Sequence, residues 1–107
     1  MKYDALISVI FVHPEKGGLR KPLSGDEIGF VLSLDPKCNQ DNYDCRLYMN
    51  ETQFQFGSRL QVPIKFAVPD LLANKLKKDL PVYLWAGRVV AVGEIMEVMN
   101  DSLESFQ

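Results

Sequence analysis

A chain of 107 residues has room for one domain, and with 47% hydrophobic and 24% charged residues it has enough apolar surface to bury a core rather than stay disordered. The formal net charge of −2 offers none of the basic excess that drives non-specific nucleic-acid binding, which leaves a local patch as the only route to RNA. A single histidine, His13, and two cysteines outside any CxxC pair, Cys38 and Cys45, cannot supply a four-ligand zinc site. The cysteines read as reduced thiols, although their spacing alone would also allow a disulfide across a turn.

The first apolar run, Tyr3 to Val12, begins beside Asp4, is short and lacks a small-residue cleavage site, so it reads as a strand and not as a signal peptide. No apolar stretch approaches the length of a membrane span, and the expected location is the cytoplasm. The run is apolar on both faces, as suits a strand covered on two sides or one in a closed barrel with a partner outside. His13 to Gly18 follows as a loop turned by Gly17-Gly18, without the Lys-Ser/Thr and helix that a phosphate-binding P-loop needs. Leu19 to Leu23 is expected to be extended and is interrupted by Pro22, which cannot donate to a ladder. Ile28 to Leu34 reads as a strand closed by Asp35-Pro36, and Lys37 to Asn42 as a polar loop.

From Asp44 to Met49 the pattern alternates, with Cys45, Leu47 and Met49 on one face and Asp44, Arg46 and Tyr48 on the other. Phe54 and Phe56 form a short alternating piece. The clearest strand sets Leu60, Val62, Ile64, Phe66 and Val68 against Arg59, Gln61, Pro63 and Lys65, and Pro63 suggests an edge or a bulge. Leu71, Leu72, Leu76 and Leu80 lie near helical spacing, which predicts a short helix or helical turn near 70–79 starting at Pro69 or Asp70; Lys75, Lys77 and Lys78 read as its solvated face. Pro81 to Trp85 and Val89 to Val98 form a hairpin turned by Ala86-Gly87-Arg88. The tail 100–107 is polar except for Leu103 and Phe106, and either stays loose or folds back. The expected fold is all-β: a small closed antiparallel barrel of six or seven strands over residues 1–99, followed by the tail.

No catalytic constellation emerges. His13, with Glu15 nearby, is the sole neutral-pH base, and Ser24 and Ser58 have no second histidine to activate them. Asp26, Glu27, Glu94 and Glu97 read as solvated turn and edge residues. Cys45 would need a neighbouring cation to act as a nucleophile, but Arg46 belongs to the opposite face. The expectation is a protein without enzymatic activity, cofactor or metal.

Three segments resemble the C-terminal β-barrel of elongation factor Tu. Tyr3-Asp-Ala-Leu-Ile-Ser-Val-Ile-Phe-Val followed by Pro14-Glu-Lys-Gly-Gly-Leu-Arg-Lys-Pro22 is similar to its opening strand and Gly-Gly loop. Phe56-Gly-Ser-Arg-Leu-Gln-Val-Pro-Ile-Lys-Phe-Ala-Val-Pro69 and Val82-Tyr-Leu-Trp-Ala-Gly-Arg-Val-Val-Ala-Val-Gly-Glu-Ile95 are similar to its later strand and final hairpin. The likeness runs from Lys2 to about Met99 and rests on the order and spacing of the signals. It implies a translation-factor barrel without the GTP-binding domain. In that family the barrel helps hold the T-stem of aminoacyl-tRNA and contacts the nucleotide domain and the exchange factor; the matching tRNA-facing positions would be Gly17, Gly18, Arg20 and Lys21, with Gly87 and Arg88 in the hairpin. The family's Arg-His-Thr-Pro is here Leu19-Arg20-Lys21-Pro22, and its Arg-Pro-Gln-Phe-Tyr-Phe-Arg strand is here Glu27-Ile-Gly-Phe-Val-Leu-Ser33, without the arginines. The fold therefore carries over better than the tRNA and exchange-factor contacts.

The expected function is a stand-alone binding module, for a protein partner or a translation component. Its surface would combine the loop from Pro14 to Pro22 with the turn at Gly87-Arg88. Arg20, Lys21 and Arg88 would bind phosphate or carboxylate, with Trp85, Tyr83 and Tyr48 as aromatic anchors. The alternatives are a small RNA-binding protein working through the basic loop, and an inhibitor, immunity or decoy protein that copies the elongation-factor barrel. An exposed apolar patch beside Trp85 would favour a protein partner; a clustered basic surface would favour RNA.

Overall fold

The computed structural model describes residues 2–49 and 53–106. Six strands form in the order β1 (Ala5–Phe11), β2 (Glu27–Ser33), β3 (Asn42–Tyr48), β4 (Arg59–Phe66), β5 (Pro81–Trp85) and β6 (Val89–Val98). They close into an antiparallel barrel in the spatial order β1-β4-β3-β2-β5-β6, with β6 paired back to β1. The predicted all-β barrel is thus present with six strands. Neither Leu19 to Leu23 nor Phe54 to Phe56 adds a seventh, and both segments pack partly buried residues on the core instead. Among the described residues no helix is long and apolar enough to cross a membrane.

Alternation sends one set of side chains inward. Ile7, Val9, Leu32, Leu47, Val62, Ile64, Val82 and Leu84 are all fully buried. Strand β6 breaks the alternation at a register shift opposite Leu84 and Trp85, and this lets the consecutive Val90 and Ala91 both enter the core. Where β6 crosses β1 the backbones nearly touch: a Cβ on Gly93 would lie 1.9 Å from the Ser8 carbonyl oxygen, so only glycine fits.

The ring order gives the two long connections one task. Strands β1 and β2 stand opposite one another in the ring, as do β4 and β5, so each connection crosses an end of the barrel. The 12–26 connection closes one end with Leu19 and Leu23, both half-buried. The 67–80 connection closes the other with Leu72 and Leu76, both fully buried. Here the predicted helical turn is a 3-10 turn, Pro69–Leu72, with proline at its first position. Past Leu72 the chain follows barrel packing and not helical spacing: Leu76 forms an isolated parallel bridge with Glu104, and its amide donates to the Leu103 carbonyl (2.7 Å). The last 3-10 turn, Asp101–Leu103, buries Leu103 against this end, while Phe106 stays 82% exposed.

Two strand-level expectations are corrected. Strand β4 is flanked on both sides and is not an edge; Pro63 is tolerated because the β3 ladder reaches only Ile64 to Phe66, leaving Pro63 paired to β1 alone. Val68 does not continue the buried face, because β4 ends at Phe66, and the side chain is 53% exposed.

Candidate functional site

The predicted loop and hairpin turn leave the barrel at one end, since the Val12 amide just past β1 donates to the Val90 carbonyl in β6 (2.9 Å). Their glycines have backbone roles. Gly17 adopts φ +94, and a Cβ on Gly18 would meet the Val12 carbonyl oxygen at 1.8 Å. Around them the amides of Lys16 and Gly18 both donate to the His13 carbonyl (3.0 and 3.1 Å). Gly87, at φ +80, turns the last hairpin. Arg20, Lys21 and Arg88 are exposed at this end. Tyr48 lies elsewhere, packed on Tyr3 with ring centroids 5.1 Å apart. His13 faces solvent with its ring 6.1 Å from that of Phe56.

The more pronounced surface feature is a groove on the outer wall. Strand pairing sets Trp85 opposite Val31 and Val31 opposite Asp44, and the Ala67 amide donates to the Asp44 carbonyl (2.9 Å). Trp85, Val31, Asp44 and Ala67 therefore form one row across the outside of the barrel. Toward the end closed by 67–80, an upper cavity of about 440 Å³ opens between Trp85 and the segment Ala67–Leu71. Toward the other end a second, lower cavity, about 540 Å³, continues past Gly29 to Ala86 and shares the same row of four. Trp85 is 40% exposed, Val68 53% and Leu71 59%, so the walls are apolar surface open to solvent. At Gly29 a Cβ would meet nothing within 4 Å, and the missing side chain leaves the floor open. Tyr83 shares the outward face of β5 with Trp85 and is half-buried between Ser33 and Val92.

Asp44 is the one charged residue lining the upper cavity. Its carboxylate has no hydrogen-bond or ion-pair partner among the described residues. Of the cations around it, Arg46 and Lys75 are paired, whereas Lys65, opposite Arg46 on β4, is not among the described ion pairs. Arg46, in the lower cavity, donates to Glu27 at 2.5 Å, and this bond, followed by the charge of Glu27, raises the guanidinium pKa. Lys75 donates to the Tyr43 hydroxyl at 3.0 Å, which is the main cause of its raised pKa, and it lies 3.6 Å from Asp41. The groove thus joins an exposed indole, aliphatic walls and one unpaired anion.

The two cysteines are free thiols on different sides of the wall: Cys38 is half-buried and lines the upper cavity, whereas Cys45 points into the core. Burial, and then the charge of Asp44, pushes the Cys45 thiol up to about 12, well away from a nucleophile's range.

Sequence reading singled out Trp85 but missed its neighbours. Asp44 and Val31 belong to outward faces, and Val68 and Leu71 read as core. The available signal was Gly29 and Val31 on the solvent side of a strand whose other face is fully apolar, a pairing that leaves an open, greasy strip. No protein-family model matches the chain, and no curated protein matches it significantly.

Proposed function

We propose that this chain is a non-catalytic binding module of the translation-factor barrel type, similar to the C-terminal barrel of elongation factor Tu, which docks a protein segment in the groove beside Trp85. The observation that carries this reading is convergence. Of the six large hydrophobic side chains exposed among the described residues, Val68, Leu71 and Trp85 line one groove. An isolated exposed leucine means little, but two aliphatic side chains and a tryptophan around one concave strip have the composition of a binding hot spot. The barrel type is supported by the ring order: β2, β3 and β4 run as a meander and β5 returns beside β2, a Greek key. The close crossing at Gly93, inside the stretch Val82 to Ile95 that resembles the family's final hairpin, supports it as well. Such a module in the cytoplasm would act by occupying its partner, as an inhibitor, immunity or decoy protein does.

Exposed Arg20, Lys21 and Arg88 at one barrel end favour the second reading, an RNA ligand. A pull-down from host lysate separates the two, run with and without ribonuclease and across a salt series. The expected result is a discrete protein band that survives both treatments and is weakened roughly 30-fold or more by Trp85→Ala, the effect of losing a central aromatic anchor. Captured material that vanishes with ribonuclease and with Arg20→Glu/Lys21→Glu, and is indifferent to Trp85→Ala, would assign the chain to RNA instead.

A further inference from the structure

We propose that the segment received by the groove presents a basic side chain, arginine in preference to lysine, seated over Val31 between the Trp85 indole and the Asp44 carboxylate. This rests on the docking reading above and specifies its chemistry. Trp85, Val31 and Asp44 stand in register on β5, β2 and β3, all facing outward. Strand spacing places Trp85 and Asp44 roughly 10 Å apart at the backbone, so a cation over Val31 lies about 5 Å from each, within reach of both a cation–π contact and a carboxylate. Charge complementarity selects the occupant. Among the described residues Asp44 is the one charged residue lining the upper cavity, and it has no partner; the cations Arg46 and Lys75 are compensated by Glu27 and Asp41, and Lys65, opposite Arg46, lines neither cavity. Val68, Leu71 and Val31 suit the methylene shaft of such a residue and the apolar side chains beside it. A planar guanidinium stacks on indole and binds a carboxylate through two donors at once, which is why arginine is preferred. A phosphate backbone would instead be placed against an uncompensated carboxylate.

The test uses Trp85, the only tryptophan in the chain, as its own reporter. Its emission is titrated with capped apolar pentapeptides that differ only at the central residue: arginine, lysine, citrulline (neutral, nearly the same shape) or glutamate. The arginine peptide should bind roughly tenfold or more tighter than the citrulline peptide, and Asp44→Asn should abolish that difference, as expected for loss of one charge-assisted contact. Gly29→Val, which fills the floor where nothing lies within 4 Å, should weaken every peptide while leaving the melting temperature unchanged. The arginine peptide should also protect Cys38, in the same cavity, from alkylation. Equal binding of arginine and citrulline peptides overturns the basic-residue assignment and leaves the docking groove standing. No response to any peptide up to ~1 mM, the weak end of measurable affinity, overturns it too, and the pull-down then decides the docking reading on its own. A Trp85 shift that depends on protein concentration without peptide, or that only an RNA oligomer produces, assigns the groove to a second copy or to RNA and overturns the proposal.

Discussion

Two aspartates on the barrel wall have opposite surroundings. Asp4, just before β1, is 6% exposed; its carboxylate accepts the Phe66 amide at 2.8 Å and the Asn100 side chain at 3.0 Å, and its carbonyl accepts the amides of Met99 and Asn100. Asp44, in the middle of β3, is exposed, and its carboxylate has no partner among the described residues. A buried carboxylate is tolerated only when its lone pairs are satisfied, so the Asp4 corner has the form of a structural clasp, holding the start of β1, the end of β4 and the C-terminal segment together. An exposed carboxylate flanked by indole and aliphatic surface contributes nothing of the kind to the fold, and its neighbourhood is the place to look for a partner.

The contrast predicts unequal effects on stability. Asp4→Ala leaves the buried Phe66 amide without its acceptor and frees Asn100, and should cost about 2–3 kcal/mol, lowering Tm by roughly 10 °C in a thermal melt. Asp44→Asn, the same loss of charge on the same barrel, should change stability by less than about 0.5 kcal/mol. If Asp44→Asn destabilises as much as Asp4→Ala, the division between clasp and groove fails.

The thiols sharpen the same comparison between inside and outside. At pH 8 an alkylating reagent should label Cys38 and leave Cys45 at least about 100-fold slower, because Cys45 is 3% exposed, held neutral with its pKa near 12, and reacts only when the barrel opens. Equal labelling followed by mass spectrometry would mean that β3 opens locally.

The smallest effect concerns the β2–β3 loop beside the groove. Asp35 accepts the amides of Lys37, Asn39 and Gln40, and its pKa is lowered, first by the Lys37 bond. With the folded value below the unfolded one of about 3.8, the stabilisation is complete above pH 3.8 and is lost as pH falls through the lower folded value. The stability gap between the wild type and Asp35→Ala should therefore be widest near neutrality and narrow in acid; a gap that widens in acid would reverse the sign. Because this loop carries Cys38, the same variant should loosen that wall of the groove.

Most strands could be read from the chain because alternation is local. Leu60, Val62, Ile64 and Phe66 are separated by residues that must face the other way, and any sheet would bury that set. The Gly87 turn and the glycine at 17 were legible for the same reason, as both are short-range backbone demands. The groove was not legible, because its four-residue row draws one member each from β5, β2 and β3 and a fourth, Ala67, from just past β4. Which outward residues become neighbours depends on ring order and register, which no local pattern encodes. Leu71, Leu72 and Leu76 show the boundary. Their spacing fits a helical stripe, yet Leu72 and Leu76 plug the barrel while Leu71 is 59% exposed on the groove, because the connection must cross from β4 to β5 on the far side.

By itself the sequence determined that the protein is a small all-β barrel with a glycine loop and a final hairpin, since these follow from period-two burial and from residues that only certain backbone conformations accept. Only the tertiary structure decided that β1 and β4 each connect across the barrel, that Asp4 is a clasp, and that Trp85 and Asp44 share a groove. Those facts depend on which strand lies beside which, and that is fixed by closing the sheet around one core.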